Sequence, residues 1–430
     1  MFRRKQILSW VGEARNSKFA RDALVLLVLN IFAKLLMFIG NIYAAKCLGP
    51  TNLGISAQIL AFSQQASIVY NGGFDTIAVR DIAADKRCAS VLANSIVIFR
   101  LAIAGPILLV WLLATLLIFD DSIVITAWML GGVLVVLGSL NIGFVFQGLE
   151  RLPIQAVAGL ATSTLMAGAF FIYFHPGMPL GSDLVVAVIA TTIPLAGLWG
   201  YYLFHYGPKE AGGIRTANVV ANIKRLLKSS WYYWILAAIV FMYSGIQIPI
   251  VTYFLGERNA GIYRSAFLFS NGLYLVFSSI NSLLLPRLVS WREEGLRVMW
   301  GRQMRLVVVL FLIGAPTVLV VIIAAPLLYR VFLGPEFIDG ALVFQILAFQ
   351  VLIVFVGQIF AWGLTANGQH AEFLRASMIG ALICIAANPI VAPLLGLVGV
   401  ALVSLASETV IHGYCFLTAR RHFMRQTVTL

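Results

Sequence analysis

Three cations stand inside long apolar stretches of the chain: Lys34, Arg100 and Arg264. A charge at the centre of a membrane helix costs about 2.5–3.5 kcal/mol on insertion scales, so each needs a partner or a task. Lys and Arg lining a cavity would bind phosphate oxygens, Arg by a two-pronged fork. An anionic cargo, too costly to bury unpaired, would supply that task. The plainer reading is a long side chain snorkelling to the interface or making a structural hydrogen bond. Lys34 lies deep enough in its helix to favour the cavity. Arg264, near the outer end of its helix, and Arg100, nearer the inner half, leave both readings open. Arg80 and Arg287 stand at inner helix ends, where they either meet an anionic lipid headgroup or only set topology. Asp75, close to Arg80, is expected to pair with it locally. Glu408 and His412 are four residues apart and so share a helix face. A buried carboxyl beside an imidazole either carries a proton or packs as a neutral hydrogen-bonded group.

Other chemistry is excluded by type and spacing. Cys47, Cys88, Cys384 and Cys415 form no metal-binding or redox pattern, and no metal site is expected. The loops carry no phosphate-binding loop, zinc-protease motif, DxD pair or nucleophile elbow, so no enzyme and no cofactor is expected. Apolar residues make up 61% of the 430 residues and charged residues 11%. A soluble domain has about 45–50% and about 25%. That balance excludes a soluble enzyme and a disordered chain and points to a polytopic helical membrane protein. The net charge of +13 reads as basic inner loops rather than as nucleic-acid binding.

Twelve crossings position these residues. The first six are expected at about 22–45, 53–72, 89–118, 123–149, 152–174 and 183–206. The second six are expected at about 231–255, 262–286, 306–329, 341–364, 376–395 and 397–418. With both termini in the cytoplasm, all but six of the 30 Lys and Arg fall in inner segments. The chain divides into an amphipathic N-terminal segment 1–21, a bundle 22–206, an inner linker 207–230, a second bundle 231–418 and a basic tail 419–430. Within the linker, Val219, Val220, Ile223, Leu226 and Leu227 form one stripe opposite Lys224, Arg225 and Lys228, expected as an interfacial helix on anionic lipid. Asn141, Gln147, Pro194, Gln247, Pro249, Asn271, Asn281, Gln350, Gln358, Asn388 and Pro389 interrupt the apolar runs. They read as hinges or kinks, and the amides as glycan contacts or as glue between helices.

The two bundles echo one another. Leu48-Gly49-Pro50-Thr51-Asn52-Leu53-Gly54-Ile55 matches Leu255-Gly256-Glu257-Arg258-Asn259-Ala260-Gly261-Ile262 at an offset of 207, and the same offset carries Arg80 onto Arg287. An even number of crossings between copies makes the repeats parallel. Two six-helix halves around a central cavity are a transporter architecture.

Lys46-Cys47-Leu48-Gly49-Pro50, Gly54, Gly73-Phe74 and Arg80-Asp81-Ile82-Ala83 resemble the opening of the polysaccharide (O-antigen-type) flippases. These belong to the multidrug/oligosaccharidyl-lipid/polysaccharide exporter superfamily. The resemblance implies movement of undecaprenyl-diphosphate-linked glycan repeat units across a bacterial cytoplasmic membrane by alternating access. It implies a cationic cavity, coupling to a proton or sodium gradient or the membrane potential, and contact with membrane lipids and other proteins of the assembly pathway. Two positions depart from relatives. Asn71 stands where many carry an acid, and Gly40-Asn41 stand where peptidoglycan-precursor flippases carry Arg-Asp. Asn41 and Asn71 therefore join the cations as substrate-binding candidates. Rival readings are a cation-coupled multidrug exporter, disfavoured by the basic intramembrane bias, and a membrane polymerase or ligase, disfavoured by short outer loops.

Overall fold

Runs of Leu, Val, Ile and Ala with few breakers make helices, because in hydrocarbon every backbone polar group must be satisfied within its own segment. The computed structural model describes residues 18–206, 216–281 and 284–428. Among the described residues every regular element is helical. In order these are α1 (Lys18–Asn71), α2 (Phe74–Ala84), α3 (Ala89–Ile118), α4 (Ser122–Ser139), α5 (Gly143–Gly148), α6 (Leu152–Tyr173) and α7 (Ser182–Tyr206). Then follow α8 (Thr216–Ser244), α9 (Gln247–Leu255), α10 (Glu257–Asn281), α11 (Leu284–Glu293), α12 (Leu296–Leu328), α13 (Gly340–Ala366) and α14 (His370–Val428). Eight described helical stretches are long and apolar enough to cross a membrane. Two of them hold two legs each: α1 is broken at Gly49 (φ 73°) and α14 at Gly396 (φ 59°). Only glycine adopts such angles without strain. Leu117, Ile172, Phe204 and Leu394 are 74–83% exposed. Side chains of this kind on the outside are costly in water and at home in lipid.

Packing divides the chain into two units. The first holds 1–41, 69–173 and 183–232; the second holds 42–68, 174–182 and 233–430. The core of the first is built on Ile82, Leu92, Ile96, Val145, Phe146 and Leu198. Leu226 is 1% exposed within this core and Leu227 packs against it. The described part of the expected linker helix is the first half of α8; Leu226 and Leu227 of its stripe pack on protein, and Val220 is 47% exposed. The basic face is held too, by an ion pair from Arg225 to Asp81 at 3.0 Å. Residues 1–17 and 207–215, which carry the expected N-terminal amphipathic segment and the start of the linker, lie outside the described residues.

In the second unit, Phe360, Leu364, Ile411 and Cys415 form one core, with the Trp300 ring stacked on Phe423 at 5.3 Å. The Gly49 turn of α1 is also here. Gly49 and Gly256 share one unusual geometry, φ 73° and ψ 170° against φ 87° and ψ 170°. The segment 174–182 is tied on by Tyr43 Oη donating to Phe174 O (3.1 Å) and Gly177 N donating to Cys47 O (3.0 Å).

The expected crossing 123–149 is not one continuous helix. It breaks at Leu140–Ile142, between α4 and α5. A break in the membrane frees carbonyls that must find donors. Here Arg100 and Trp199 supply them, as described next.

Candidate functional site

In the first unit the C-terminal end of α1, the start of α2 and the α4–α5 break converge on Arg100 of α3. Its side chain is 1% exposed. Nη1 donates to Asn141 O at 2.8 Å, and Nη2 donates to Asn71 Oδ1 and Asp75 Oδ1. The guanidinium lies 5.4 Å from the centroid of the Phe144 ring. Beside it, Trp199 Nε1 donates to Leu140 O at 2.9 Å, and Asn141 Oδ1 caps α5 by accepting from Gly143 N at 2.8 Å. Arg100 therefore closes the broken helix and holds the α1–α2 turn in one grip. The expected Asp75–Arg80 pair is not formed. Asp75 binds Arg100, and Arg80 turns to its neighbour Asp81 at 2.9 Å. The reason is geometric: five residues along a helix put Asp75 and Arg80 on different faces, whereas Arg100 comes from the adjacent α3.

The other candidates are placed as follows. In the first unit Lys34 is exposed on α1, Asn41 donates from Nδ2 to Met37 O on its own helix at 2.8 Å, and the Arg80 side chain is 71% exposed. In the second unit Arg264 is half-buried, its guanidinium 5.9 Å from the Phe267 ring centroid, and Arg287 is exposed.

The second unit also contains a cavity of about 290 Å³. Helical periodicity builds it. From α10 it takes Tyr263, Phe267, Ser270 and Tyr274. From α13 it takes Gln350, Val354, Gln358 and Trp362, and from α14 Ser404, Glu408 and His412. His412 Nε2 faces Glu408 Oε2 at 3.5 Å, with the two side chains 8% and 14% exposed. The Glu408–His412 pair read from spacing is thus present, and it faces a cavity rather than a solid helix contact. Gly357 makes room for the imidazole, since a Cβ there would overlap the His412 ring. Gln358 Nε2 donates to Tyr274 Oη at 3.2 Å. Gln350 Oε1 and His412 Nδ1 are buried without a hydrogen-bond partner. Tyr274, Trp362 and Gly357 were not singled out by sequence. The signal for them is the three- and four-residue spacing of polar and aromatic residues along α10 and α13.

A multi-pass helical membrane protein with buried polar centres in its bundles is a transporter fold. The chain belongs to the polysaccharide biosynthesis protein family, whose sequence pattern matches residues 19–291. It is similar to the probable low-salt glycan biosynthesis flippase Agl15 of Haloferax volcanii, with 22% identity over 92% of this chain and 83% of that one. Its fold resembles that of an inward-facing multidrug resistance MATE family transporter of the MOP superfamily, with a TM-score of 0.72 and 17% identity over 92% of this chain and 96% of that chain. It resembles equally the lipid II flippase MurJ in an inward closed conformation, with a TM-score of 0.71 and 13% identity over 92% and 87% of the two chains. The chain is therefore a multi-pass helical membrane protein of the polysaccharide biosynthesis family, with a fold like that of the MATE and MurJ transporters.

Proposed function

We propose that the protein moves polyprenyl-diphosphate-linked oligosaccharide from the cytoplasmic to the outer leaflet of a bacterial cytoplasmic membrane, by alternating access across twelve crossings. The observation that carries this reading is a pair of intramembrane cations, Lys34 and Arg264, within a chain of the polysaccharide biosynthesis family. The glycan flippase relative supports the cargo class. Lys34 is the cation with an exposed side chain deep in an apolar leg, and it offers the diphosphate its counter-charge. Arg80 and Arg287 meet the headgroup at the inner ends of their helices. Arg100 acts by holding the α1–α2 turn, with Asn71 and Asp75, rather than by touching cargo. The Glu408–His412 pair carries the coupling proton, because its two side chains are close, nearly buried and line a cavity. The membrane potential adds about 2.3 kcal/mol per charge per 100 mV.

The test is sidedness. Lipid-linked sugars are labelled in right-side-out and inside-out vesicles from a deletion strain, with and without the restored gene. Accumulation on the cytoplasmic face, relieved by the wild-type gene, is expected. An unchanged distribution would sink the reading, and drug accumulation in the same strain would then decide for export of a small cation.

A further inference from the structure

We propose that the cavity of the second unit is a saccharide subsite that holds one pyranose ring of the transported glycan. This rests on the glycan-flippase reading and adds to it the place where the sugar is recognised.

The walls have the composition that an uncharged, polyhydroxylated ring needs. Glu408 is an acceptor, Gln350 and Gln358 bring amides that both donate and accept, and His412 has Nε2 facing Glu408 and Nδ1 packed against Gly357. A sugar hydroxyl donates one hydrogen bond and accepts others, so it satisfies such mixed walls. A simple cation satisfies only the acceptors. Tyr274 and Trp362 add aromatic surface to the same lining, and they are the more accessible members, each 36% exposed. A pyranose presents an apolar C–H face as well as its hydroxyl edges, and ring surfaces take that face.

One lining residue carries an unmatched atom: Gln350 Oε1 is buried with no partner. The unpartnered His412 Nδ1 lies against Gly357 of α13, on the side of the ring turned from Glu408. A buried acceptor beside the Glu408 carboxylate in one cavity fits a ligand that brings hydroxyl donors. The position of His412 is also enforced: Gly357 behind it has no Cβ, and any larger residue would displace the imidazole. The cavity volume of about 290 Å³ lies at the low end of the range for small-ligand sites. It suits one ring and leaves the rest of an oligosaccharide outside.

The experiment uses the full chain in lipid nanodiscs and three probes. The first is the polyprenyl-linked glycan pool extracted from the source cells. The second is the free glycan released from that pool by mild acid. The third is polyprenyl diphosphate without sugar. Binding is compared for wild type, Gln358→Leu, Trp362→Ala and the conservative Trp362→Phe. The free glycan is expected to bind wild type and to lose about tenfold or more with Gln358→Leu and Trp362→Ala, the scale of one buried hydrogen bond or stacking contact. The loss should be smaller for the bare carrier, and Trp362→Phe should restore most of it. Thermal unfolding of each variant separates a lost contact from a misfolded chain. Equal affinity of the free glycan for wild type and both truncating variants would overturn the subsite. So would binding of the bare carrier with no binding of the free glycan. If neither lipid-linked probe binds but the free glycan does so through Trp362, the flippase reading fails and the saccharide site stands.

Discussion

Gly54 and Gly261, equivalent residues of the two repeats, each press against the backbone of the other's motif. A Cβ on Gly54 would overlap the carbonyl of Glu257, and a Cβ on Gly261 would overlap the carbonyl of Pro50. Pro50 and Glu257 are themselves related by the same offset, so the contact is reciprocal: residue i meets j and j meets i, the signature of a two-fold relation. Gly54→Ala and Gly261→Ala should each push the two motifs apart, at about 1–3 kcal/mol for overpacking. In a chain stripped of its native cysteines, a Leu53→Cys probe, now 7% exposed, should label faster with maleimide in either variant. Unchanged labelling in both would mean the backbones yield without separating.

Arg100→Ala should lower stability by about 1–3 kcal/mol, because Asn141 O loses its donor in a low-dielectric setting. Asp75→Asn should cost less, since the Asp75 carboxylate is 45% exposed and partly screened. The order of the two losses is the point to measure, by unfolding temperature in detergent. An Asp75 variant as damaged as the Arg100 variant would show that the ion pair, and not the helix break, is what Arg100 secures.

Lys34→Ala should abolish flipping with insertion intact, and Lys34→Arg should keep part of it. Vesicle sidedness at matched expression reads both. Normal flipping by the alanine variant would remove the counter-charge assigned to the diphosphate.

Gly357→Ala should impair transport about as much as His412→Ala, through displacement of the imidazole from Glu408. Gly413→Ala is the control on the neighbouring position, where an added Cβ meets nothing within 4 Å. If Gly357→Ala transports like wild type, the position of the imidazole is immaterial to coupling.

Leu226→Ala should destabilise the first unit by about 2–5 kcal/mol, as for a large-to-small change in a core. Arg225→Ala should cost about 1 kcal/mol or less, because that side chain is 54% exposed and its pair with Asp81 sits in a high-dielectric setting. Chemical denaturation of the two variants compares them directly. Equal losses would return α8 to a surface held by charge.

Legibility in the sequence followed the range of the interaction. The Leu-Gly repeat at 48 and 255 could be read because glycine at a helix break leaves a mark on the residue type itself. That Gly54 and Gly261 touch could not, since the offset gives equivalence and not distance. Glu408 and His412 were legible from i, i+4 spacing. The cavity they face was not, because it takes side chains from α10 and α13 far away in sequence. Asp75 was assigned the nearest Arg in sequence, and the structure gives it Arg100, 25 residues on. For Arg100 the sequence leaves cargo and structural contact both open, because one of its partners is the carbonyl of Asn141, and carbonyls are the same in every residue. Leu226 and Leu227 lie on the apolar stripe that periodicity predicts in this segment. Periodicity does not say whether lipid or protein covers that face.

The break between α4 and α5 carries a consequence for biogenesis. A lone arginine in α3 and an interrupted helix in α4–α5 are each poor candidates for leaving the translocon sideways into lipid. Each carries what the other lacks, a surplus of donors against freed acceptors. The two segments should therefore partition as a hairpin, with α3 retained in the insertion channel until Asn141 has been synthesised and has reached Arg100.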